Sequence, residues 1–239
     1  MASSDNLGIL YGVSVGTGDP ELITLKGLKI LQNSPVVAFP AGVGNKPGIA
    51  AQIIADWLKP TQRTLALNFP YVQDLTVLSQ AWCQAATQVW ECLAQNQDVA
   101  FACEGDVSFY STFTYLAQNL QQMYPQVKVE AIPGVTSPLA AAAVLGIPLT
   151  LRDQKLAILP ALYSMTELEN TLQWADVVVL MKVSSVYTQV WQILAKYNLL
   201  SQAMVVERAT FPNQIVYRDL PNLPYLKLSY FSLLIVSKS

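Results

Sequence analysis

Apolar residues in this chain fall into short continuous runs, separated by stretches where they recur every three or four positions. The runs lie at 8–15 (GILYGVSV), 35–39 (PVVAF), 64–69 (TLALNF), 98–103 (DVAFAC), 127–132 (VKVEAI), 155–159 (KLAIL), 176–181 (DVVVLM), 203–207 (AMVVE) and 229–236 (SYFSLLIV). Runs of that length predict strands. Helical spacing predicts helices over 20–32, 47–58, 76–96, 109–122, 136–145, 165–173 and 185–199. The clearest is 76–96, where Leu75, Leu78, Trp82, Ala85, Val89 and Leu93 form one apolar stripe that reads as core. Strands alternating with helices predict an α/β fold with largely parallel sheets. The Gln-rich end of the fourth helix and the turn Tyr124-Pro125-Gln126 predict a boundary between two domains, 1–122 and 123–239. Pro212, Pro221 and Pro224 confine the last segment to edges and turns, so antiparallel strands are expected there.

Composition narrows the function. The chain has 239 residues, 52% of them hydrophobic and 13% charged, with a net charge of −2. Charged residues make up about 25% of usual soluble domains, so disorder and coiled coil are excluded. A nucleic-acid reader needs a basic surface, and none is expected. Mean hydropathy is +0.33. Yet no apolar run reaches the ~18 residues of a membrane helix. The N-terminal MASSDNLGIL has no basic region. No membrane segment and no signal peptide are therefore expected, and a cytoplasmic place is. There is no histidine, which excludes a Ser-His-Asp triad, a histidine base and His-ligated metal. Cys83, Cys92 and Cys103 form no Cys-x-x-Cys pair and read as reduced, buried thiols.

The unusual polar clusters follow predicted strands: GTGDP (16–20), PAG (40–42), EGDVSFYST (104–112), PGVTSP (133–138), LPA (159–161), MKVSS (181–185) and ERAT (207–210). Ligands of open α/β sheets bind outside the carboxyl ends of strands, so one composite site between two sheets is expected. In the first cluster Glu21 stands where a dinucleotide fingerprint needs its third glycine, and a carboxylate there repels pyrophosphate. Asp19 reads as a helix N-cap and Pro20 as its first residue. Glu104-Gly105-Asp106 suits a cationic or polyhydroxyl ligand, although Asp106 also reads as an N-cap of the helix at 109–122. Thr136 and Ser137 open an alanine-rich helix whose smooth face fits a flat ligand or another helix.

VGTGDP, EGDVSFY and PGVTS, in that order, together with ERATFPNQIVYRDL (207–220), resemble the tetrapyrrole methylase family, the class III methyltransferases that use S-adenosylmethionine. The likeness runs over essentially the whole chain. VGTGDPELITLKGLKIL, EGDVSFYSTFTYL, IPGVTSPLAAAA and LAILPA are most similar to members that methylate carbon 20 of precorrin-2, or its cobalt-bearing counterpart, in cobalamin synthesis. The resemblance implies two αβα domains with a cleft between them and a homodimer. It places S-adenosylmethionine, leaving as S-adenosylhomocysteine, against Thr17, Glu104, Gly105, Asp106, Phe109, Thr136, Ser137, Met181 and Ala209. Three departures stand out. Thr17 and Val107 replace family prolines, and Pro40 stands where uroporphyrinogen-III methylases carry an aspartate.

The implied chemistry asks little of side chains. The donor is already activated, the acceptor carbon is electron-rich, and orientation supplies most of the acceleration. A proton on carbon 20 would pass to Glu104, Asp106, Tyr110 or water. The polyanionic substrate calls for cations, and Lys46, Arg152, Lys182 and Arg208 are the candidates. No metal ligand set is expected. The alternatives are a methylase of the same family acting elsewhere on the ring, or a non-catalytic protein that binds S-adenosylmethionine or a tetrapyrrole.

Overall fold

The computed structural model describes residues 7–42, 47–70, 72–161 and 164–238. The chain divides into two compact units, Met1–Thr136 and Ser137–Ser239.

The first unit contains β1 (Leu10–Ser14), α1 (Leu25–Asn33), β2 (Val36–Pro40), α2 (Ile49–Ile54), β3 (Arg63–Leu67), α3 (Leu75–Leu93), β4 (Val99–Cys103), α4 (Thr112–Met123) and β5 (Val129–Ile132). Its five strands pair in parallel in the order β3-β2-β4-β1-β5. Parallel sheets are covered on both faces, which explains the unbroken apolar runs of the inner strands. On one face Val13, Val37 and Ala100 pack with Leu31, Ile53 and Ile54. On the other, Val36, Val99 and Phe101 pack with Val89, Phe113 and Leu116. A helix–sheet–helix sandwich results.

Local hydrogen bonds move several helix starts away from those expected. The stretch 20–32 is not one helix. Asp19 caps a short 3-10 helix, Pro20–Leu22, and the Thr24 hydroxyl then accepts the Gly27 N–H to begin α1. Likewise α2 gives way to a 3-10 helix at Ala55–Trp57. At 109–122 the helix begins only at Thr112, because Ser111, not Asp106, is its N-cap.

The second unit contains α5 (Ser137–Leu145), β6 (Leu156–Leu159), α6 (Met165–Trp174), β7 (Val177–Met181), α7 (Tyr187–Lys196), β8 (Ala203–Glu207), β9 (Ile215–Tyr217) and β10 (Ser232–Ser237). The order is β6-β7-β10-β8-β9. The antiparallel strands expected in the last segment are β9 and β10, and they make this second sheet a mixed one. Only β6 and β7 pair in parallel, because β10 inserts antiparallel between β7 and β8 and β9 folds back on β8. α6 and α7 cover one face around Leu180, Val205 and Leu234, and α5 covers the other around Val179, Val206 and Ile235.

The division after Thr136 falls later than the expected 122/123. β5 pairs with β1 over Leu10↔Val129 to Val13↔Ile132, so it completes the first sheet instead of opening the second. Among the described residues no helix is long and apolar enough to cross a membrane.

Candidate functional site

β1 lies between β4 and β5, and all three run the same way. The turns that follow them, GTGDP, EGDVSFY and PGVTS, are therefore neighbours at one edge of the first sheet. Hydrogen bonds tie them together. The Gly105 N–H donates to the Gly16 carbonyl at 2.7 Å, and Val15 N–H to the Cys103 carbonyl at 2.9 Å. The buried Ser14 hydroxyl donates to the Ile132 carbonyl at 2.7 Å and accepts the Val107 N–H at 3.0 Å. Asp106 binds within its own turn and to the PGVTS turn. One carboxylate oxygen accepts the Ser108 N–H at 2.8 Å and the Ser108 hydroxyl, and the other accepts the Gly134 N–H at 2.6 Å.

Two glycines here answer different needs. A Cβ on Gly134 would stand 2.3 Å from the Ser14 Cβ, so only glycine lets β5's turn lie against β1. Gly105 has φ +72 and a Cβ on it would meet only the Val135 carbonyl, at 3.9 Å. That backbone faces open space.

The electrostatics follow from these bonds. Burial pushes the Asp106 carboxyl up, but the hydrogen bonds from Ser108 and Gly134 outweigh it and hold the acid below its ordinary range. Asp106 is thus a fixed anion whose oxygens are engaged. The Cys103 thiol is pushed up to about 12, chiefly by burial, against the opposing hydrogen bond with Ser111. From Gly16 to Asp19, Glu104 to Ser108 and Pro133 to Thr136 the turns carry three carboxylates and no lysine or arginine. A cation is favoured at this edge.

The other expected residues sort by unit. Thr17 is buried beside the Gly16 bridge, and Phe109 is half-buried with its ring edge-on to Tyr110 at 4.7 Å. Tyr110 is 57% exposed and left-handed at φ 52. Thr136 follows the Gly134 turn directly. In the second unit Met181 and Ala209 pack on the face covered by α5, the helix that begins at Ser137.

Lys182 and Arg208 follow β7 and β8 and flank the segment entering β10. The Arg208 N–H donates to the Phe231 carbonyl at 2.8 Å, and the Lys182 ammonium lies 5.5 Å above the Tyr230 ring. Arg152 does not join them, because it sits in the connection that enters β6, before a strand and not after one. Lys46 lies outside the described residues. A groove of about 610 Å³ on α3, lined by Ser79, Gln80, Cys83, Gln84, Thr87 and Gln88, shares no residue with these turns.

Sequence reasoning missed Ser14, Gly134 and Tyr230. A serine inside the apolar run YGVSV is the one signal that marked Ser14, since a buried hydroxyl needs a partner. Tyr230 read as an ordinary strand residue.

Left-handed backbone recurs in the turns after β4, β7 and β8 and also at Arg152, before β6. Among the described residues seven non-glycines have φ between 47 and 71. Asn96 and Asn198 end helices, where asparagine is at ease. Tyr110, Arg152, Lys182, Arg208 and Thr210 have no such excuse of residue type. Strained backbone of this sort concentrates at binding sites.

Comparison with known proteins agrees with the turns. Residues 9–223 match the family model described as Tetrapyrrole (Corrin/Porphyrin) Methylases. The chain is 31% identical over 232 residues to the cobalt-precorrin-2 C(20)-methyltransferase of Salmonella typhimurium, covering 97% of each. It is 32% identical over 219 residues to the precorrin-2 C(20)-methyltransferase of a Sinorhizobium species, covering 88% of each. A solved cobalt precorrin-4 methyltransferase shares the fold, with a TM-score of 0.75 over 99% of this chain and 97% of that one at 22% identity. With the three turns joined at one sheet edge and the family pattern running from β1 past β9, this chain belongs to the tetrapyrrole (corrin/porphyrin) methylases.

Proposed function

We propose that this chain transfers the methyl group of S-adenosylmethionine to carbon 20 of precorrin-2, or of its cobalt-bearing counterpart, on the route to cobalamin. One observation carries the reading. The turns GTGDP, EGDVSFY and PGVTS are tied at a single edge, in a chain that aligns end to end with a relative named for that reaction.

The residues present fit the donor. The sulfonium is a cation, and the edge presents carboxylates without opposing lysine or arginine. The open backbone at Gly105 leaves room for close approach. In the first unit Thr17, the Glu104-Gly105-Asp106 turn, Phe109 and Thr136 would hold it. In the second, Ser137, Met181 and Ala209 offer contacts from one face of the sheet. When bound, S-adenosylmethionine supplies a methyl group already activated on sulfur.

The chain's own part is orientation. Ser14 and Asp106 lock three loops so that the groups they carry do not drift. Rigid alignment of this kind is worth roughly 7–11 kcal/mol in favourable cases. Asp106 is a poor proton acceptor, because its oxygens already take bonds from Ser108 and Gly134. Glu104, Tyr110 or water is then left to take the proton from carbon 20. Lys182 supplies positive charge toward the substrate's carboxylates, whereas the charge of Arg208 is paired with Glu207. We further propose, from the family resemblance, that the protein works as a homodimer in the cytoplasm.

The test is anaerobic incubation with methyl-labelled S-adenosylmethionine and either metal-free or cobalt-loaded precorrin-2. One labelled methyl on carbon 20, located by mass and NMR spectroscopy, is expected for at least one form. Transfer to neither, or to another ring position, overturns the reading. Donor binding without transfer favours a carrier.

A further inference from the structure

We infer that Lys182, held over the ring of Tyr230, grips a carboxylate of the anionic substrate, and that Tyr230 is the positioning residue for that grip. The inference rests on the proposed function only for the identity of the anion.

The two cations at this edge are placed differently. The Arg208 guanidinium lies 2.9 Å from the Glu207 carboxylate, whose side chain is 5% exposed. Its charge is answered within the protein. Lys182 forms no ion pair among the described residues, and its ammonium instead lies 5.5 Å from the Tyr230 ring centroid. A ring face attracts an ammonium without neutralising it, and the ammonium's donors remain available to an anionic oxygen. The partner chosen for Lys182 therefore holds it in place and keeps it charged.

The surroundings hold both residues. Lys182 follows β7 at once with φ 54, a conformation that aims the side chain from a fixed point. Tyr230 precedes β10 by two residues, and β10 runs antiparallel to both β7 and β8, so its entry segment lies between their carboxyl ends. The Phe231 carbonyl accepts the Arg208 N–H at 2.8 Å. The Phe231 ring stands edge-on to Tyr230 at 5.2 Å and 6.4 Å from Phe211.

A second observation is independent of the cations. The hydroxyl oxygens of Ser229 and Ser232, on either side of Tyr230 and Phe231, are buried without a hydrogen-bond partner among the described residues. Buried hydroxyls are nearly always satisfied. The segment that carries Tyr230 thus keeps polar groups that the chain itself does not satisfy.

The experiment uses the full chain and its Lys182→Gln, Tyr230→Leu and Tyr230→Phe variants. Two readouts are taken: KM and kcat for precorrin-2 at saturating S-adenosylmethionine, and fluorescence-detected binding of uroporphyrin as free acid and as its full methyl ester. Lys182→Gln raises KM and weakens free-acid binding about tenfold, with kcat and ester binding unchanged. Tyr230→Leu shows the same pattern to a lesser degree, and Tyr230→Phe, which keeps the ring face, falls closer to wild type than Tyr230→Leu. Calorimetric affinity for S-adenosylmethionine stays constant throughout. Free-acid binding unaltered in both Lys182→Gln and Tyr230→Leu overturns the inference, as does equal weakening for acid and ester. A wild-type protein that binds the free acid in this pattern but transfers no methyl defeats the proposed function and leaves the grip standing.

Discussion

The Asp106 carboxylate accepts the Gly134 N–H at 2.6 Å across 28 residues of chain, joining the turn after β4 to the turn after β5. β1 lies between those two strands, so the bond spans the strand whose own turn begins with Gly16. The residue that looks most like a catalytic acid is thus the tie that shapes the loops.

Asp106→Asn should destabilise the protein. Asparagine has one acceptor oxygen, so either Gly134 or Ser108 loses its partner in a site where Asp106 is only 6% exposed. A buried donor left unsatisfied costs about 1–3 kcal/mol. Urea denaturation at pH 7 measures it.

The same variant should lose its deficit in acid. Burial raises the Asp106 pKa, but its hydrogen bonds lower it further, to a net value below the ordinary 3.8. A depressed carboxyl contributes stability above its unfolded pKa and loses it as pH falls through the folded one. The gap between wild type and Asp106→Asn should therefore be constant above about pH 5 and close progressively below about pH 4. A gap that persists undiminished well below pH 3 would show that the charge is not the cause.

Gly134→Ala tests the close approach. Its new Cβ would fall 2.3 Å from the Ser14 Cβ, and overpacking of that kind costs about 1–3 kcal/mol. Ser14→Gly removes the obstacle but also the hydroxyl that serves Ile132 and Val107. The double variant should therefore be more stable than the sum of the two losses indicates. Strict additivity would mean the two residues do not touch.

Thiol titration should find one reactive cysteine in the native protein. Cys83 is half-buried, whereas Cys92 and Cys103 are buried and burial raises both thiols, Cys103 to about 12. The thiolate is the reactive form. An aromatic disulfide reagent at neutral pH should label Cys83 quickly and the other two only in denaturant. Rapid labelling of Cys103 would mean that the loop over it opens readily.

In the second unit, Tyr187→Phe should loosen the turn before β10. The phenol is 2% exposed and donates to the Leu223 carbonyl at 2.7 Å, while the Trp191 indole donates to Leu220 at 2.7 Å. Burial pushes the Tyr187 phenol up to about 12, so it remains a donor over the working range. A loss of about 1–3 kcal/mol is expected. Hydrogen exchange should rise first in the 3-10 helix Leu220–Asn222. Faster exchange spread evenly over the unit would assign the loss to general packing.

Much was legible along the chain. The alternation of apolar runs and helical spacing located nine of the ten described strands, including β8 at Ala203–Glu207 to the residue, while β9 at Ile215–Tyr217 lies in none of those runs. Asp19 read correctly as a cap, because a cap is a local hydrogen bond between residues two or three apart. Asp106 makes the same local bond, to the N–H of Ser108, but caps no helix with it. Ser111 captured the helix, and Asp106 turned to a partner that no local pattern reveals.

The sequence by itself determined the element types, the turns that carry polar groups and the family pattern, since all are written in short-range periodicity and composition. Only the tertiary structure decided that β1 sits between β4 and β5, that β10 reverses between β7 and β8, and that Arg152 stands apart from Lys182 and Arg208. The reason is physical. A strand's side-chain alternation states which faces are buried, but its backbone donors and acceptors are alike in every strand and do not name the neighbour they will bond.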